Sequence, residues 1–441
     1  MNSRSKIKSF ILGPVLFTSI ILLIYAAVYY FLLWNNKLLG NILFLFGFFK
    51  GGLFTFWFIG ISYKWLWNLD TLKNRPYKAG IVVILIFLIS TGFLKLMYEN
   101  NQLYHHTIDH NRKGFEGYIH EKDSLLGYKQ VKGAQGSITS KYREKIPLKI
   151  DENGFRVPTN RLIHQENDSL LILFLGCSNT FGNHCVAEET FSYIVSDSLK
   201  CRYINAGVCG YGLSQMYILA QRLIPKYKPN IVVAQYSDWL TQRTINGYAP
   251  TYLIDIPNPY FTEEEGEILV QPPPYTSNVW EMTIWKPDES KSNLSNYVEF
   301  SLGIGLPNLL RNYYLYAYYK VAKGRQRLKD ARKMEYYVYN EFYHLAKENN
   351  SKLIILNLGH AVNGKITNES HELLKQKDIL FAEADSLLLE RASYSYEKYK
   401  KIFHHWGFDG KDSVRFDAHP NHLSHSIIAR SILDAINKEE L

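Results

Sequence analysis

The strongest constraint in this sequence is the apolar run from Phe10 to Trp34, about 25 residues without an Asp, Glu, Lys or Arg. At 1.5 Å per residue such a helix crosses roughly 30 Å of hydrocarbon. The run is too long for a signal-peptide core, and it ends in Tyr30-Phe31-Leu32-Leu33-Trp34-Asn35-Asn36 rather than in the small residues of a cleavage site. Asn41 to Tyr63 and Ala79 to Tyr98 predict a second and a third span. Lys50 interrupts the second, where it is expected either to pack against a neighbouring helix or to snorkel toward the interface. Arg4, Lys6 and Lys8 precede the first span, and Lys64, Lys73, Arg75 and Lys78 separate the second from the third; only Lys37 lies in the first turn. The positive-inside bias therefore places the chain after about residue 100 outside the cytoplasm. Three spans offer too few polar groups for a pore, so residues 1–99 read as a multi-pass anchor in the cell membrane, with a face open to a membrane partner protein.

The remaining residues are polar with apolar blocks. A hydrophobic content of 46% and an aromatic content of 15% exclude a coreless, disordered chain. The net charge of +9 comes without clustered basic runs, so no nucleic-acid partner is expected. Residues 100–168 carry short β-type runs punctuated by Gly114, Gly117, Gly127, Gly133, Gly136 and Gly154, and read as a β-rich lead-in.

From residue 169 to 441 the pattern changes to apolar strands alternating with amphipathic helices. Ser169 to Leu175 stops abruptly at Gly176, as a strand buried on both faces does. Helix Glu188–Leu199, strand Arg202–Ala206, helix Leu213–Pro225 and strand Asn230–Tyr236 follow. Then comes an irregular insert at about 240–330, rich in Pro, and after it helix Met334–Asn349, strand Lys352–Asn357 and a last helix, His422–Asn437. This alternation predicts an α/β fold, a doubly wound parallel sheet. Reactive groups in such sheets collect at the carboxyl ends of the strands.

Those strand ends carry Gly176-Cys177-Ser178-Asn179-Thr180-Phe181-Gly182, then Asn205-Ala206-Gly207-Val208-Cys209-Gly210-Tyr211-Gly212, then Tyr236-Ser237-Asp238. Near the C-terminus stands Asp417-Ala418-His419-Pro420-Asn421. A serine at a strand end, glycine turns beside it and an Asp and a His on one late loop can supply a nucleophile, an oxyanion pocket and a base. Thr180 stands where the G-x-S-x-G elbow needs its second glycine, so that elbow is excluded.

In these blocks, over about residues 168 to 438, the chain resembles the SGNH (GDSL) hydrolase and acyltransferase superfamily. Gly127-Tyr128 and Asn153-Gly154-Phe155-Arg156 are similar to the lead-in of its membrane-anchored or secreted members. The resemblance implies a flavodoxin-like SGNH fold with Ser178 as nucleophile, His419 as general base and Asp417 as the residue that orients the imidazole. It also implies an oxyanion pocket made by the N–H groups of Ser178 and Gly210. Cys177 replaces the family's usual acidic residue, Ser237 falls where the family carries an oxyanion Asn, and Asp417-x-His419 is one residue shorter than the commonest spacing. Ser237 itself, Asn179 and Asn183 are the candidates to replace the missing amide. Attack by Cys177 is disfavoured, because the family attacks from the next position.

Asn179, Asp238 and Arg243 are the expected substrate-binding residues, with Asp238 read alternatively as a capping carboxylate. The insert is expected to form a lid whose Tyr260, Tyr275, Trp280 and Trp285 suit either sugar stacking or packing. His419, His422 and His425 have metal-like spacing, but no second acid or Cys cluster accompanies them; neither metal nor cofactor is expected, and His425 reads as a packing residue. Among Cys177, Cys185, Cys201 and Cys209, the pair expected to close in an oxidising compartment is Cys185 with Cys201. Three readings follow from the resemblance. One is a membrane-anchored esterase that removes O-acyl, foremost acetyl, groups from an extracytoplasmic carbohydrate or lipid-linked substrate. The others are an O-acetyltransferase of envelope polysaccharide with the same triad, and a catalytically silent binding protein.

Overall fold

The computed structural model describes residues 92, 96–105, 115–116, 119–140, 143–160, 167–244, 248–251, 254–273, 287–307, 309–310, 327–358, 374–375 and 377–438. Apart from residues 92 and 96–98, the three expected membrane spans lie outside them. Among the described residues no helix is long and apolar enough to cross a membrane. The chain divides into two compact units, Met1–Lys95 and Leu96–Leu441, and nearly all described residues belong to the second.

The lead-in is built from β1 (Phe115–Glu116), β2 (His120–Asp123), β3 (Gly127–Gln130), β4 (Gln135–Ser140), β5 (Arg143–Ile150) and β6 (Arg156–Val157). The β2–β3 hairpin turns because the Asp123 carboxylate accepts the N–H groups of Leu125 and Leu126, both at 2.9 Å, before Gly127 takes a φ of 80°. The other four strands pair in the order β1-β4-β5-β6, with antiparallel ladders. Alternation along β5 turns Ile146, Leu148 and Ile150 to one face, and they pack with Ile138 of β4 against Phe181. Phe181 lies three residues beyond the candidate nucleophile, so the lead-in touches the site directly.

The α/β block contains β7 (Asn167–Leu175), α1 (Ser178–Phe181), α2 (Phe191–Ser198), β8 (Cys201–Asn205), α3 (Leu213–Tyr227), β9 (Ile231–Tyr236) and α4 (Asp238–Thr244). The insert adds hairpins β10–β11 (Tyr248–Thr251, Ile254–Pro257) and β12–β13 (Tyr260–Glu264, Glu267–Gln271), and helix α5 (Asn293–Phe300). After it come α6 (Arg327–Glu348), β14 (Lys352–Asn357), β15 (Leu380–Ala382), α7 (Ala384–Arg391), α8 (Tyr396–Phe403), β16 (His405–Phe408), β17 (Ser413–Asp417) and α9 (His422–Asn437).

Five strands form one parallel sheet in the order β15-β14-β9-β7-β8. Side-chain alternation explains why these strands are apolar throughout. Leu173 and Leu175 of β7 meet α3 and α6 on one face, whereas Ile172 and Phe174 meet α2, α7 and α9 on the other. The first and third strands of the sheet, β7 and β9, are neighbours, and the second, β8, lies on the far side of β7. Strands are therefore added to one side of β7 and then to the other, so the strand order switches between β7 and β9, and such switch points are where open α/β sheets hold ligands. In the insert, hairpin β12–β13 docks through Phe261, whose ring lies 5.5 Å from Tyr217 and 6.0 Å from Tyr337. Tyr260 belongs to that hairpin; Tyr275, Trp280 and Trp285 lie outside the described residues.

The expected disulfide is absent. All four cysteines are free. Cys201 is buried in the layer between the sheet and α2 and α9, whereas the Cys185 Sγ lies 3.6 Å from the carbonyl of Pro420, which accepts from it. The two thiols belong to different packing environments, so their proximity in sequence does not bring them together.

Candidate active site

Strand β7 delivers the chain to Gly176, where any Cβ would overlap the Thr180 hydroxyl and the Gln235 amide. That amide comes from the neighbouring strand β9 and fastens the turn. Its Oε1 accepts the Cys177 N–H at 3.1 Å and the Thr180 hydroxyl at 2.8 Å, and its Nε2 donates to the Cys177 Sγ at 3.3 Å. Ser178 follows as the first residue of α1, partly exposed while Cys177 and Asn179 on either side are buried. Cys177, where the resemblance expects an acid, is a packed thiol held by Gln235. Gln235 is the polar residue near the end of an otherwise apolar strand, a position visible in the sequence although its role was not.

The base arrives from the other end of the chain. Asp417 is the last residue of β17 and His419 lies between β17 and α9, whose first turn Asn421 caps by accepting the Ser424 N–H at 3.1 Å. The His419 Nε2 lies 2.8 Å from the Ser178 Oγ, and its Nδ1 lies 2.7 Å from the Asp417 Oδ1. The same oxygen accepts the His419 backbone N–H at 2.7 Å, a bond that suits the short Asp-x-His spacing. With the Nδ1 proton directed to the carboxylate, Nε2 presents a lone pair to the serine hydroxyl.

Asp417 also meets His184, whose Nε2 lies 3.4 Å from Oδ2. Burial opposes ionisation of this carboxyl, but the hydrogen bonds and charges of His184 and His419 outweigh it and hold the pKa far below the usual carboxylate range. His184 adopts a left-handed φ of 61°, uncommon for a side chain with a Cβ. Sequence reasoning missed it; its only signal was a histidine two residues beyond the end of the serine block. Asn183 points to the acid side of the ring, its Nδ2 3.4 Å from the His419 Nδ1, and so is not placed beside Nε2 as an oxyanion donor would be.

The glycine block after β8 lies against the nucleophile turn. Asn205 donates to the Thr180 carbonyl at 2.9 Å and accepts the Gly207 N–H at 3.0 Å, and the Val208 N–H reaches the Gly176 carbonyl at 3.3 Å. Gly210 sits at a φ of 86°. Among the described residues neither the Ser178 nor the Gly210 N–H donates to a protein acceptor, which leaves both for a ligand oxygen.

Ser237 does not supply the missing amide. It is fully buried, donates to the Leu358 carbonyl at 2.5 Å and accepts from the Gln235 Nε2 at 2.9 Å. Its hydroxyl therefore ties β9 to the end of β14. Arg243 is likewise turned inward, its Nη1 donating to the Tyr211 carbonyl at 2.8 Å, so it braces the glycine loop. Asn179 is buried and lines a narrow pocket with Trp239, Leu358, Asp385, Tyr399, Ala418 and Pro420, beside the catalytic residues. Asp238 opens α4, and its side chain lies outside the described residues. His425 is apart from the site. It is buried, its ring lies 5.4 Å from that of Phe191, and its Nδ1 accepts the Phe191 N–H at 3.2 Å. Among the described residues no group of His, Cys, Asp and Glu side chains could hold a metal ion.

No family model matches this chain, and no curated protein is similar to it. Solved structures that are similar include TesA, at 10% identity over 61% of this chain and 98% of that one, with a TM-score of 0.31. A catalytic mutant of the acetylxylan esterase Axe2 from Geobacillus stearothermophilus matches at 12% identity over 62% of this chain and 96% of its own, TM-score 0.31. A two-domain esterase active on acetylated mannans matches at 15% identity over 61% of this chain and 49% of its own, TM-score 0.29. At such scores the likeness carries no weight for function, which rests on the geometry of Ser178, His419 and Asp417.

Proposed function

We propose that this protein is a serine esterase of the SGNH type, anchored in the membrane by its first hundred residues and active outside the cytoplasm. Its substrate is an O-acyl, foremost O-acetyl, ester on a carbohydrate or lipid-linked molecule. The supporting observation is the relay from Ser178 Oγ to His419 Nε2 at 2.8 Å and from His419 Nδ1 to Asp417 at 2.7 Å. Ser178 attacks the ester carbonyl carbon while His419 takes the hydroxyl proton, and the N–H groups of Ser178 and Gly210 receive the oxyanion. The carbonyl re-forms, the C–O bond to the alcohol breaks, and the alkoxide takes its proton from His419. Water, deprotonated by His419, then releases the acid from acyl-Ser178. The membrane placement is supported by the Phe10–Trp34 run and the lysine and arginine distribution around it.

The test is p-nitrophenyl acetate turnover by the full chain, purified in detergent, against Ser178→Ala. Turnover by the variant at the buffer background is the expected result. Equal rates in the two proteins would remove the esterase reading, and acetylation of an added oligosaccharide at the expense of hydrolysis would redirect it to acyl transfer.

A further inference from the structure

The oxyanion loop is held from outside the catalytic block. Tyr128, in the β2–β3 hairpin of the lead-in, is 1% exposed and donates its hydroxyl to the carbonyl of Cys209 at 2.6 Å. That carbonyl and the Gly210 N–H belong to one peptide unit. In a planar trans peptide the two point in opposite directions, so whatever fixes one aims the other. Gly210 cannot fix the plane by itself, because a glycine at a φ of 86° has no Cβ to disfavour the alternative orientations of the preceding peptide. An external hydrogen bond has to decide, and Tyr128 provides it.

We infer that Tyr128 is the positioning residue of the oxyanion pocket: its hydroxyl sets the Cys209–Gly210 peptide so that the Gly210 N–H faces the reacting oxygen. The tyrosine is itself locked. Its ring lies 5.1 Å from that of Tyr211 in an edge-to-face arrangement, and the Tyr211 hydroxyl donates back to the Tyr128 carbonyl at 2.6 Å. The two tyrosines and Val208 form one buried cluster. Gln215 adds a second tie between hairpin and loop, accepting the Gly212 N–H at 2.9 Å and donating to the Leu126 carbonyl at 2.8 Å. Arg243 holds the carbonyl two residues further on, that of Tyr211. Burial raises the Tyr128 pKa well above its ordinary value, so the phenol keeps the proton it donates.

The inference depends on the esterase reading for its rate readout, and a second readout is independent of activity. Cys209-Gly210 is the sole Cys-Gly pair in the sequence. Labelling with carbonyl-¹³C cysteine and ¹⁵N glycine therefore gives one amide resonance for this peptide in the detergent-solubilised full chain. Tyr128→Phe removes the hydroxyl and keeps the ring. The expected result is a displaced or split Cys209–Gly210 resonance together with a fall in kcat of about 10- to 100-fold, less than the loss of a whole oxyanion donor, with KM changed less than about twofold. A merely structural role would lower thermal stability without that separation of kcat from KM. An unmoved resonance overturns the inference, and so does an unchanged kcat. If wild type and Ser178→Ala turn over p-nitrophenyl acetate equally, the esterase reading fails on its own account. The resonance then decides whether Tyr128 sets this peptide, an unmoved line refuting it.

Discussion

Replacing Asp417 by Asn probes the relay where its electrostatics are strongest. The substitution keeps the volume and keeps an oxygen able to accept the His419 backbone N–H, so the loop between β17 and α9 stays folded. It removes the negative charge facing the imidazolium that forms when Ser178 gives up its proton. At the observed 2.7 Å between Nδ1 and Oδ1, two unit charges in an effective dielectric of 20 attract by about 6 kcal/mol. Partial exposure of both side chains, 24% for His419 and 14% for Asp417, reduces this to roughly 4–5 kcal/mol. At about 1.4 kcal/mol per tenfold in rate, the loss is about 10³-fold. The amide adds a second effect, set by which way it faces. With its oxygen toward His419, its NH₂ meets the His184 Nε2, which can accept, and the productive tautomer survives. Reversed, the NH₂ faces both Nδ1 and the His419 backbone N–H, so it gives up the backbone bond, forces the ring proton onto Nε2 and deprives Ser178 of its base, extending the loss toward roughly 10⁴-fold. Steady-state hydrolysis of p-nitrophenyl acetate, with the unfolding midpoint of each protein measured in parallel, reads this directly. An Asp417→Asn protein that folds like wild type and retains more than a tenth of its kcat would refute the assignment of Asp417 as the orienting acid.

Two other substitutions test the supports of the site. At Gly207 an added Cβ would stand 2.4 Å from the Phe181 nitrogen and 2.8 Å from the Thr180 carbonyl carbon, so Gly207→Ala must push the glycine loop away from α1. The expected outcome is a loss of about 10²-fold in kcat, measured with the same ester, and a urea midpoint lowered by the equivalent of about 1–3 kcal/mol; a rate within twofold of wild type contradicts the tight seating of the loop. His425 is buried with its pKa depressed to about 3, because burial disfavours the charged ring. Below its unfolded value near 6.5 the unfolded chain takes up a proton that the native chain does not, so stability from this residue falls as pH drops from about 6.5 toward 3. Between pH 7 and pH 5 the loss is about 2 kcal/mol. His425→Gln should narrow the gap between urea unfolding free energies at pH 7 and pH 5 by about that amount. Asp417 does not intrude on this window, because its own contribution is lost only below the unfolded aspartate value near 3.8. An unchanged gap would place His425 in a different protonation state.

The sequence made the sheet legible wherever burial was two-sided. Ser169–Leu175, Asn230–Tyr236 and Lys352–Asn357 read as strands because each carries apolar residues in succession, and the structure buries both faces of those apolar runs. β15, Leu380–Ala382, is apolar too, but its run of four residues with Ile379 is too short to separate it from a loop. The hairpin β16–β17 was hidden for another reason: its strands are largely exposed, and its role is to deliver Asp417. Within the candidate site, the structure brings together Ser178, Asp417 and His419, which the sequence singled out by residue type and by the resemblance. His184 and Gln235 could not be ranked from sequence, since a bracing hydrogen bond accepts many residue types and becomes specific only through distance. Ser237 shows the converse, a residue whose position relative to β9 matched the family's oxyanion donor while its hydroxyl was already engaged by Gln235 and Leu358.

Arg156 shows why the lead-in belongs to the chemistry. A guanidinium that is 1% exposed carries a heavy desolvation cost, and burial lowers its pKa accordingly. Arg156 donates to the carbonyls of Phe181, Gly182 and Cys185 and lies 4.5 Å above the Phe181 ring. Those three carbonyls lie on the loop that carries Asn183 and His184 toward the Asp417–His419 pair. Removing the guanidinium takes a donor from each of these carbonyls, although that of Gly182 keeps the Cys185 N–H at 3.1 Å, and a lost buried hydrogen bond of this kind costs about 1–3 kcal/mol. Tyr128 does for the glycine loop what Arg156 does for this one. The two loops flanking Ser178 are thus each held by a side chain from residues 127–156, so the lead-in fixes both the His184 side and the Gly210 side of the candidate site. A fragment starting at Ser169 would keep the serine, the histidine and the aspartate, yet both of their neighbouring loops would lose the bonds that aim them.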